Sequence, residues 1–281
     1  SIDWVRSIAG RGDEIPALVE KGKSAFAGPE IEGKTLGVVG LGAIGVRVAN
    51  AAHHLGMNVI GFDPYLSVDA AWHLTRFAHK ANSLDELLEK ADYITIHVPS
   101  TPSTKGMFNS EAFAKMKKGA RLLNFSRGSL VDENDVQEAI ANGTVATYVT
   151  DFGSETLLKC ENVICLPHLG ASTPESEENC AVMAANEIKD FLENGNIKNS
   201  VNFPECDMGK KTGERITILH KNVTGMIKKI TDALESLNIA NMINKSKGDN
   251  AYTMIDVDGR CDAAAIDAIA AMPDVIKVTL L

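Results

Sequence analysis

The sequence predicts two α/β units in one chain, a doubly wound parallel sheet followed by a smaller α+β unit. Short apolar runs alternate with amphipathic segments from Lys34 onward, which is typical of a parallel sheet wrapped by helices. A glycine-rich turn follows the first of these runs. Beyond residue 214 the order of elements changes to strand, helix, strand, strand, helix, strand.

Residues 1–30 predict a helix followed by a glycine-containing loop. The strands of the parallel sheet are rich in Val, Ile and Leu without clean alternation, as expected for strands buried on both faces. They are predicted at 35–39, 58–62, 93–98, 121–125, 146–150 and 162–166. Intervening helices are predicted at 44–55, 84–90 and 133–142.

The segment 174–193 predicts one long helix, with Pro174 in its first turn and Gly195 just past its end. Pro204 and two glycines within 199–214 predict a linker. Later elements are predicted at 215–220, 225–237, 239–246, 252–257, 262–271 and 275–280. We therefore expect a Rossmann-type domain at 1–198, the linker, and a ferredoxin-like βαββαβ domain at 215–281.

Composition argues against several classes of function. The net charge of −9 disfavours nucleic acid as the main partner, because phosphate binding needs a basic face. No apolar run reaches the length that crosses a bilayer. The five cysteines form no C-x-x-C pair, which predicts reduced thiols in a cytoplasmic protein and no metal site.

The turn at residues 40–45, Gly-Leu-Gly-Ala-Ile-Gly, predicts a dinucleotide site because of its context. It follows an apolar strand, opens a helix and precedes a second strand that leads to Asp63. Gly40 permits the tight turn, Gly42 lets the backbone approach a pyrophosphate, and Gly45 lets the helix pack closely on the strand.

The first turn of the following helix, at Ala43 and Ile44, offers free amide groups and a favourable dipole to phosphates. Asp63 can accept hydrogen bonds from both ribose hydroxyls, and its charge would repel a 2′-phosphate. The cofactor expected from these residues is NAD rather than NADP.

Three further motifs, at 124–132, 151–155 and 166–173, each lie at the end of a predicted strand, where open α/β sheets bind ligands. Reduction of a 2-keto acid by NADH needs a cation for the substrate carboxylate, and Arg127 can bind it through two hydrogen bonds. A proton donor must serve the carbonyl oxygen, and His168 titrates in a suitable range. Glu155 is the candidate carboxylate beside His168, although Asp151 lies close by in the sequence.

Together these motifs resemble those of the D-2-hydroxyacid dehydrogenase family over nearly all of residues 1–200. The matching words are G-L-G-A-I-G, H-V-P with T-P beyond it, N-x-x-R-G-x-x-V-D and P-H-x-x-x-S-T. The resemblance implies that Arg127, Glu155 and His168 are the catalytic residues. It also implies a cofactor site that includes His97, Val98, Pro99, Ser126, Arg127, Asp151, His168 and Gly170.

Residues 215–281 look like an ACT domain, in which residues 220–225 resemble the ligand loop. Thr224 stands where that pattern usually has Pro, which weakens the prediction of an amino-acid effector such as serine. A dehydrogenase joined to one ACT-like domain is most similar to members that oxidise 3-phospho-D-glycerate with NAD in the first step of L-serine biosynthesis. Family members carry a further segment ahead of this region, so we expect part of the substrate domain to be missing and turnover by this chain to be low.

Alternative functions stay open at this point. The chain could act on another hydroxy acid, such as glycerate, lactate or formate, or it could be an NAD-sensing protein of the same fold that binds other proteins. The final domain could serve amino-acid sensing or assembly. The family resemblance implies a homodimer or homotetramer acting on a small molecule.

Overall fold

In the computed structural model, which describes residues 1–281, a parallel sheet of seven strands forms the centre of the unit Ser1–His168. Its strands are β1 (Thr35–Val39), β2 (Asn58–Phe62), β3 (Ala78–Lys80), β4 (Tyr93–Ile96), β5 (Ala120–Asn124), β6 (Val145–Thr150) and β7 (Val163–Cys165). Its helices are α1 (Ile2–Ser7), α2 (Ile15–Gly22), α3 (Ala43–His54), α4 (Val68–His73), α5 (Leu84–Lys90), α6 (Ser110–Ala114), α7 (Glu133–Ala141) and α8 (Glu155–Leu158).

The strands lie in the order β3-β2-β1-β4-β5-β6-β7, and every neighbouring pair is parallel. The chain builds the sheet outward from β1 to β3, then returns and continues from β4 to β7. The carboxyl ends of β1 and β4 therefore flank the point at which the winding reverses, where sheets of this kind bind ligands. The predicted doubly wound fold is confirmed.

Strand β3 was not predicted from the sequence. Its three residues, Ala-His-Lys, form no apolar run, and the strand lies at the edge of the sheet, where it pairs only with β2. An edge strand needs no continuous apolar pattern because it is not enclosed by neighbours on both sides. Strand β4 ends at Ile96, two residues before the predicted end.

Buried aliphatic side chains attach the helices to both faces of the sheet. One cluster joins β1 to α3 and includes Val38, Val46 and Ala49, while a second includes Leu87 of α5 and Leu122 of β5. These side chains are almost entirely excluded from water. Their burial is the main stabilising contribution to this unit.

Side-chain caps fix where several of the helices begin. Ser83 accepts a hydrogen bond from the amide of Glu86 at the start of α5, at 3.1 Å. Asp132 and Ser154 cap α7 and α8 in the same way. Because each cap satisfies an amide that has no partner within its helix, the preceding loop is fixed to the first turn.

The unit Leu169–Leu281 contains an antiparallel sheet of four strands. Its elements are α9 (Pro174–Asn194), β8 (Glu214–Lys221), α10 (Met226–Ala233), β9 (Asn238–Lys247), β10 (Asn250–Asp258), α11 (Ala263–Ala270) and β11 (Val275–Leu280). The strand order β11-β8-β10-β9 and the βαββαβ succession confirm the predicted ferredoxin-like fold. Ile216, Ile230, Ile255 and Ile269 are buried in the core that α10 and α11 share with one face of this sheet.

The segment between α9 and β8 packs against this unit, although the sequence predicted a linker there. Ile197 and Cys206 pair through two backbone hydrogen bonds and share a buried cluster with Tyr252. The hydroxyl of Tyr252 donates to the carbonyl of Gly195 at 2.6 Å. The second compact unit begins at Leu169, and the predicted domain boundaries at 198 and 215 stay a prediction.

Arg215 also holds the segment between α9 and β8 against the four-stranded sheet. Its side chain is 1% exposed and forms an ion pair with Asp256 of the neighbouring strand. The guanidinium also donates at 2.8 Å to the carbonyls of Asn194 and Gly209. A buried guanidinium is tolerated only when its donors are satisfied, so the ordered path of this segment and the burial of Arg215 depend on each other.

None of the helices combines the length and apolarity that a membrane span requires.

Candidate functional site

A cavity of about 670 Å³ opens at the carboxyl ends of β1 and β4, where the winding of the sheet reverses. The glycine-rich turn, the end of β2 and the loop after β4 form its walls. The predicted cofactor residues that line it are Gly40, Gly42, Asp63, His97, Val98 and Pro99. The structure therefore brings together residues that are far apart in the sequence.

The three glycines of the turn meet different surroundings. Gly40 has a φ of +90°, and a Cβ there would lie 2.5 Å from the carbonyl oxygen of His97. A Cβ at Gly45 would lie 2.0 Å from the carbonyl oxygen of Gly40. A Cβ at Gly42 would meet no atom within 4 Å. Internal packing therefore requires glycine at positions 40 and 45, whereas at Gly42 the open space faces the cavity.

The N-terminus of α3 has no side-chain cap, since its N-cap residue is Gly42. The amides of the first helical turn, including those of Ala43 and Ile44, consequently lack the partner that a capping side chain provides. The aligned peptide dipoles add partial positive charge at the same place. An uncapped N-terminus of a helix this long, beside an open cavity, suits an anionic group such as a pyrophosphate.

Asp63 follows β2 and has a structural role that the sequence did not indicate. Its two carboxylate oxygens accept hydrogen bonds from the amides of Leu41 and Tyr65, each at 2.8 Å. The side chain thereby ties the glycine-rich turn to the end of the second strand. A carboxylate has about four acceptor positions, so Asp63 can still accept from sugar hydroxyls.

His97 and Ser126 hold the loops around the cavity in place. The imidazole of His97 lies 3.0 Å from the hydroxyl of Thr95, and burial lowers the pKa of His97. The hydroxyl of Ser126 donates to the carbonyl of Val98 at 2.8 Å. This bond connects the loop after β4 with the loop after β5.

Arg127 is exposed on the loop after β5, and one of its side-chain nitrogens donates to the carbonyl of Ser126 at 2.6 Å. The fully buried Asn124 shapes this loop, since its amide nitrogen donates to the carbonyl of Arg127 at 2.9 Å and its oxygen accepts from the amide of Ser126. The sequence analysis gave Asn124 no role of its own beyond its place in the motif N-x-x-R-G-x-x-V-D. Its contacts show that it fixes the backbone from which Arg127 projects.

His168 is paired with Asp151, at 3.0 Å between Nδ1 and Oδ2. Asp151 follows β6 and its side chain is 8% exposed, whereas the His168 side chain is 56% exposed. The ring of Phe152 lies 5.0 Å from the imidazole, measured between ring centroids. The other oxygen of Asp151, Oδ1, is a buried side-chain atom with no hydrogen-bond partner.

Glu155 does not occupy the place beside His168 that the sequence and the family resemblance predicted. It is the first residue of α8, its side chain is 83% exposed, and it pairs with Lys159 at 2.6 Å. The cap formed by Ser154 sets the direction of α8, and residues four apart lie on one face of a helix. In this structure the carboxylate beside His168 is that of Asp151, and the catalytic role predicted for Glu155 stays a prediction.

The residues present fit a nicotinamide dinucleotide. A pyrophosphate suits the uncapped turn, and ribose hydroxyls suit Asp63. The unpartnered Oδ1 of Asp151 needs a hydrogen-bond donor, and the carboxamide of nicotinamide supplies one. Gly170 belongs to the second unit, and its predicted contact with the cofactor stays a prediction. No group of three or more His, Cys, Asp or Glu side chains is placed to hold a metal ion.

A doubly wound sheet with this turn and this acidic residue defines the NAD-binding domain of a dehydrogenase. Residues 3–170 match the family model described as D-isomer specific 2-hydroxyacid dehydrogenase, NAD binding domain, and the chain belongs to this family.

Solved structures of the family agree with the fold. A glyoxylate reductase from Paecilomyes thermophila is 28% identical with a TM-score of 0.57, covering 70% of this chain and 62% of its own. A D-lactate dehydrogenase from Aquifex aeolicus, complexed with NAD and lactic acid, is 30% identical with a TM-score of 0.54, covering 64% and 60%.

Curated relatives share one activity in their names. D-3-phosphoglycerate dehydrogenase of Bacillus subtilis is 41% identical over 191 residues, which are 66% of this chain and 36% of the relative. D-3-phosphoglycerate dehydrogenase 2 of Saccharomyces cerevisiae is 33% identical over 81% of this chain and 53% of its own length. The Dictyostelium discoideum enzyme of the same name is 30% identical over 98% of this chain and 69% of its own. The chain thus spans about half the length of the yeast relative.

Proposed function

We propose that this chain acts with NAD in the interconversion of D-2-hydroxy acids and 2-keto acids, with 3-phospho-D-glycerate and 3-phosphohydroxypyruvate as the substrate pair. The observation that carries the proposal is the imidazole–carboxylate pair of His168 and Asp151, in the same unit as the dinucleotide cavity. An imidazole beside a carboxylate suits the transfer of the hydroxyl proton. Membership of the dehydrogenase family supports the same reaction.

In the oxidation, His168 accepts the proton of the C2 hydroxyl while the hydrogen on C2 leaves as hydride. NAD, when bound, would supply the acceptor for that hydride. Arg127 binds the substrate carboxylate, because a guanidinium presents two parallel donors to its oxygens and stays charged throughout the relevant pH range. In the reduction, protonated His168 returns the proton to the carbonyl oxygen.

The choice of substrate rests on the names of the curated relatives. Solved relatives named for glyoxylate and lactate favour a second candidate, a dehydrogenase of lactate or glyoxylate type. A panel of keto acids separates the two. We expect faster NADH oxidation with 3-phosphohydroxypyruvate than with hydroxypyruvate, pyruvate or glyoxylate, and the opposite ranking would favour the second candidate.

The roles of His168 and Arg127 are tested in the same assay. His168→Gln should lower kcat/KM by about 10² to 10⁴ while NADH still binds, because only the proton transfer is removed. Arg127→Lys should mainly raise KM for the keto acid, since a lysine cannot form the paired hydrogen bonds. His54→Ala, at an exposed histidine of α3, is the matched control and should change neither constant. Full turnover by the His168→Gln variant would refute the assignment of the acid–base residue.

Binding of NADH without turnover of any 2-keto acid would instead support the NAD-sensing alternative. In that outcome the assignment of the cofactor site would be correct, and the proposed reaction would be wrong.

We infer that the second unit does not bind an amino acid at the loop of residues 220–225. In the loop that resembles an ACT ligand site, His220 is 2% exposed and both ring nitrogens are already engaged. Nδ1 lies 2.8 Å from the carbonyl of Lys221, and Nε2 lies 2.8 Å from the hydroxyl of Thr253. Calorimetry with L-serine should therefore show no binding. Saturable serine binding would contradict this inference.

A further inference from the structure

A second cavity, of about 370 Å³, lies in the unit that contains the four-stranded sheet. Helix α9 forms one wall and the segment 196–203 forms another. Leu219 of β8 also lines the cavity. Successive residues of a strand point to opposite faces of a sheet, so Leu219 and His220 lie on different faces. The cavity is therefore separate from the loop of residues 220–225.

Much of the lining of this cavity is apolar. The apolar side chains that line it are Ala184, Ile188, Phe191, Ile197, Phe203 and Leu219. Three of them, Phe191, Phe203 and Leu219, pack against the buried cluster that contains Tyr252. Close packing behind a wall limits its movement, so these side chains are held in place from behind. A cavity of this volume with such a lining suits the apolar part of a small molecule.

Hydrogen bonds from the sheet hold the segment 196–203 in position. The ammonium group of Lys247 on β9 donates to the carbonyl of Ser200 at 3.1 Å. The side-chain nitrogen of Asn250 on β10 donates to the carbonyl of Asn202 at 3.2 Å. The wall that this segment forms is consequently fixed by two neighbouring strands.

Two side chains of opposite charge, Glu187 of α9 and Lys198, line the same cavity. The ion pairs of the second unit involve other residues, namely Lys189 with Glu193, Arg215 with Asp256, and Lys228 with Asp232. Glu187 accepts one hydrogen bond, from the side-chain nitrogen of Asn199 at 2.6 Å. A carboxylate has about four acceptor positions, so both charges remain available to a ligand.

Other polar side chains of the lining already have partners. Asn196 donates to the carboxylate of Asp190 at 3.1 Å. The hydroxyl of Ser200 donates to the side-chain oxygen of Asn202 at 3.1 Å. The charged pair of Glu187 and Lys198 is therefore the part of the lining best suited to select a ligand.

We propose that this cavity binds an amino acid with an apolar side chain, such as leucine. Its ammonium group pairs with Glu187, its carboxylate pairs with Lys198, and its side chain enters the apolar part of the cavity. A zwitterion complements both charges, whereas a simple amine or acid leaves one of them without a partner. Serine is excluded, because its hydroxyl would lose its hydrogen bonds to water among apolar side chains.

Calorimetric titration of the whole chain with L-leucine tests this proposal. We expect saturable binding of one leucine per chain with a dissociation constant of about 0.1 to 1 mM, which is within reach of a ligand this small. L-alanine should bind at least tenfold more weakly, because three fewer carbon atoms are removed from water. No saturable binding of leucine, or equal binding of leucine and alanine, would overturn the proposal.

Ala184→Leu tests the location of the site. It adds volume to one wall of the cavity at an exposed position of α9, and leucine is a good helix former. Binding of leucine should weaken at least tenfold. Ala185→Leu is the matched control, since Ala185 is the next exposed residue of the helix and does not line the cavity. Wild-type affinity in Ala184→Leu would show that the site lies elsewhere.

Two leucine analogues and two variants test the charged pair. The first analogue, 4-methylpentanoate, lacks the ammonium group, and the second, 3-methylbutylamine, lacks the carboxylate. Each should bind wild type several-fold more weakly than leucine does. Glu187→Gln should remove the preference for leucine over 4-methylpentanoate, and Lys198→Gln should remove the preference for leucine over 3-methylbutylamine.

Glu178→Gln is the control for these variants, because Glu178 is exposed on α9 and does not line the cavity. It should keep both preferences. If Glu187→Gln and Lys198→Gln also keep them, the assignment of the charged pair is wrong. These measurements use neither NADH nor a keto acid, so their outcome is independent of the proposed reaction.

Discussion

Two alanine substitutions in the glycine-rich turn should separate packing from cofactor binding. At Gly45 an added Cβ would lie 2.0 Å from the carbonyl oxygen of Gly40, about 1 Å inside the 3.0 Å that real Cβ contacts respect. The backbone at Gly40 cannot move freely away from this contact, because Gly40 has a φ of +90° and its amide donates to the carbonyl of Phe62 at 2.9 Å. At Gly42 an added Cβ meets no atom within 4 Å.

The expected magnitudes follow from these distances. Overpacking against backbone costs about 1–3 kcal/mol, and replacing a helical glycine by alanine returns about 1 kcal/mol. Because the added Cβ would meet a backbone atom about 1 Å too close, the upper end of the cost applies, and Gly45→Ala should lower the free energy of unfolding of the first unit by about 2 kcal/mol. Gly42→Ala should stay within about 1 kcal/mol of wild type, since only the small preference for glycine at an N-cap is lost. Its methyl group would face the cavity and should weaken NADH binding at least tenfold, or about 1.4 kcal/mol.

Urea titrations followed by tryptophan fluorescence measure the stability of the first unit, because both tryptophans, Trp4 and Trp72, lie in it. Calorimetric titration with NADH measures binding by the folded variants. Equal stability of the two variants would refute the packing argument. Undiminished NADH binding by Gly42→Ala would refute the assignment of the cavity to the cofactor.

Three further substitutions test other contacts. Asp63→Ala should weaken NADH binding at least tenfold and reduce the preference for NADH over NADPH, because a charge-assisted acceptor is lost; titration with both cofactors measures this, and an unchanged preference would contradict it. Asn124→Ala should destabilise the first unit by about 1–3 kcal/mol in urea, because the carbonyl of Arg127 and the amide of Ser126 lose their hydrogen bonds to this buried side chain. A loss below about 0.5 kcal/mol would count against its structural role. Burial raises the pKa of Tyr252 to about 12, above the value near 10 of an unfolded tyrosine. Between these two values the unfolded chain loses the phenol proton while the folded chain keeps it. The contribution of Tyr252 to the free energy of unfolding is therefore fully present below about pH 10 and is lost as the pH rises towards about 12. Urea titrations of the second unit by circular dichroism should show this decline in wild type and a smaller one in Tyr252→Phe, and identical declines would refute the contribution of Tyr252.

The glycine-rich turn and the order of the elements were predictable because their signals are local. Gly40, Gly42 and Gly45 stand at fixed offsets from an apolar strand, and each has a physical task that no other residue type performs as well. The ferredoxin-like unit was predictable because its alternation of strands and helices is regular. Strand β3 carried no such local pattern.

The carboxylate partner of His168 could not be chosen from the sequence. Asp151 and Glu155 are both acidic and close to the end of β6, and only the direction of α8 sends Glu155 into solvent. The packing of residues 195–209 could not be predicted from the sequence either, because it depends on contacts with Arg215 and Tyr252, which are later in the chain. Contacts between distant residues decide both features, and neither leaves a pattern in a short stretch of sequence.

Titration of the wild-type chain with NADH and with NADPH tests whether the first unit binds NAD. We expect saturable binding of one NADH per chain, with NADPH bound more weakly because Asp63 would repel the 2′-phosphate. A sample that is folded by circular dichroism and binds neither cofactor would contradict the assignment of the first unit as a working NAD-binding domain.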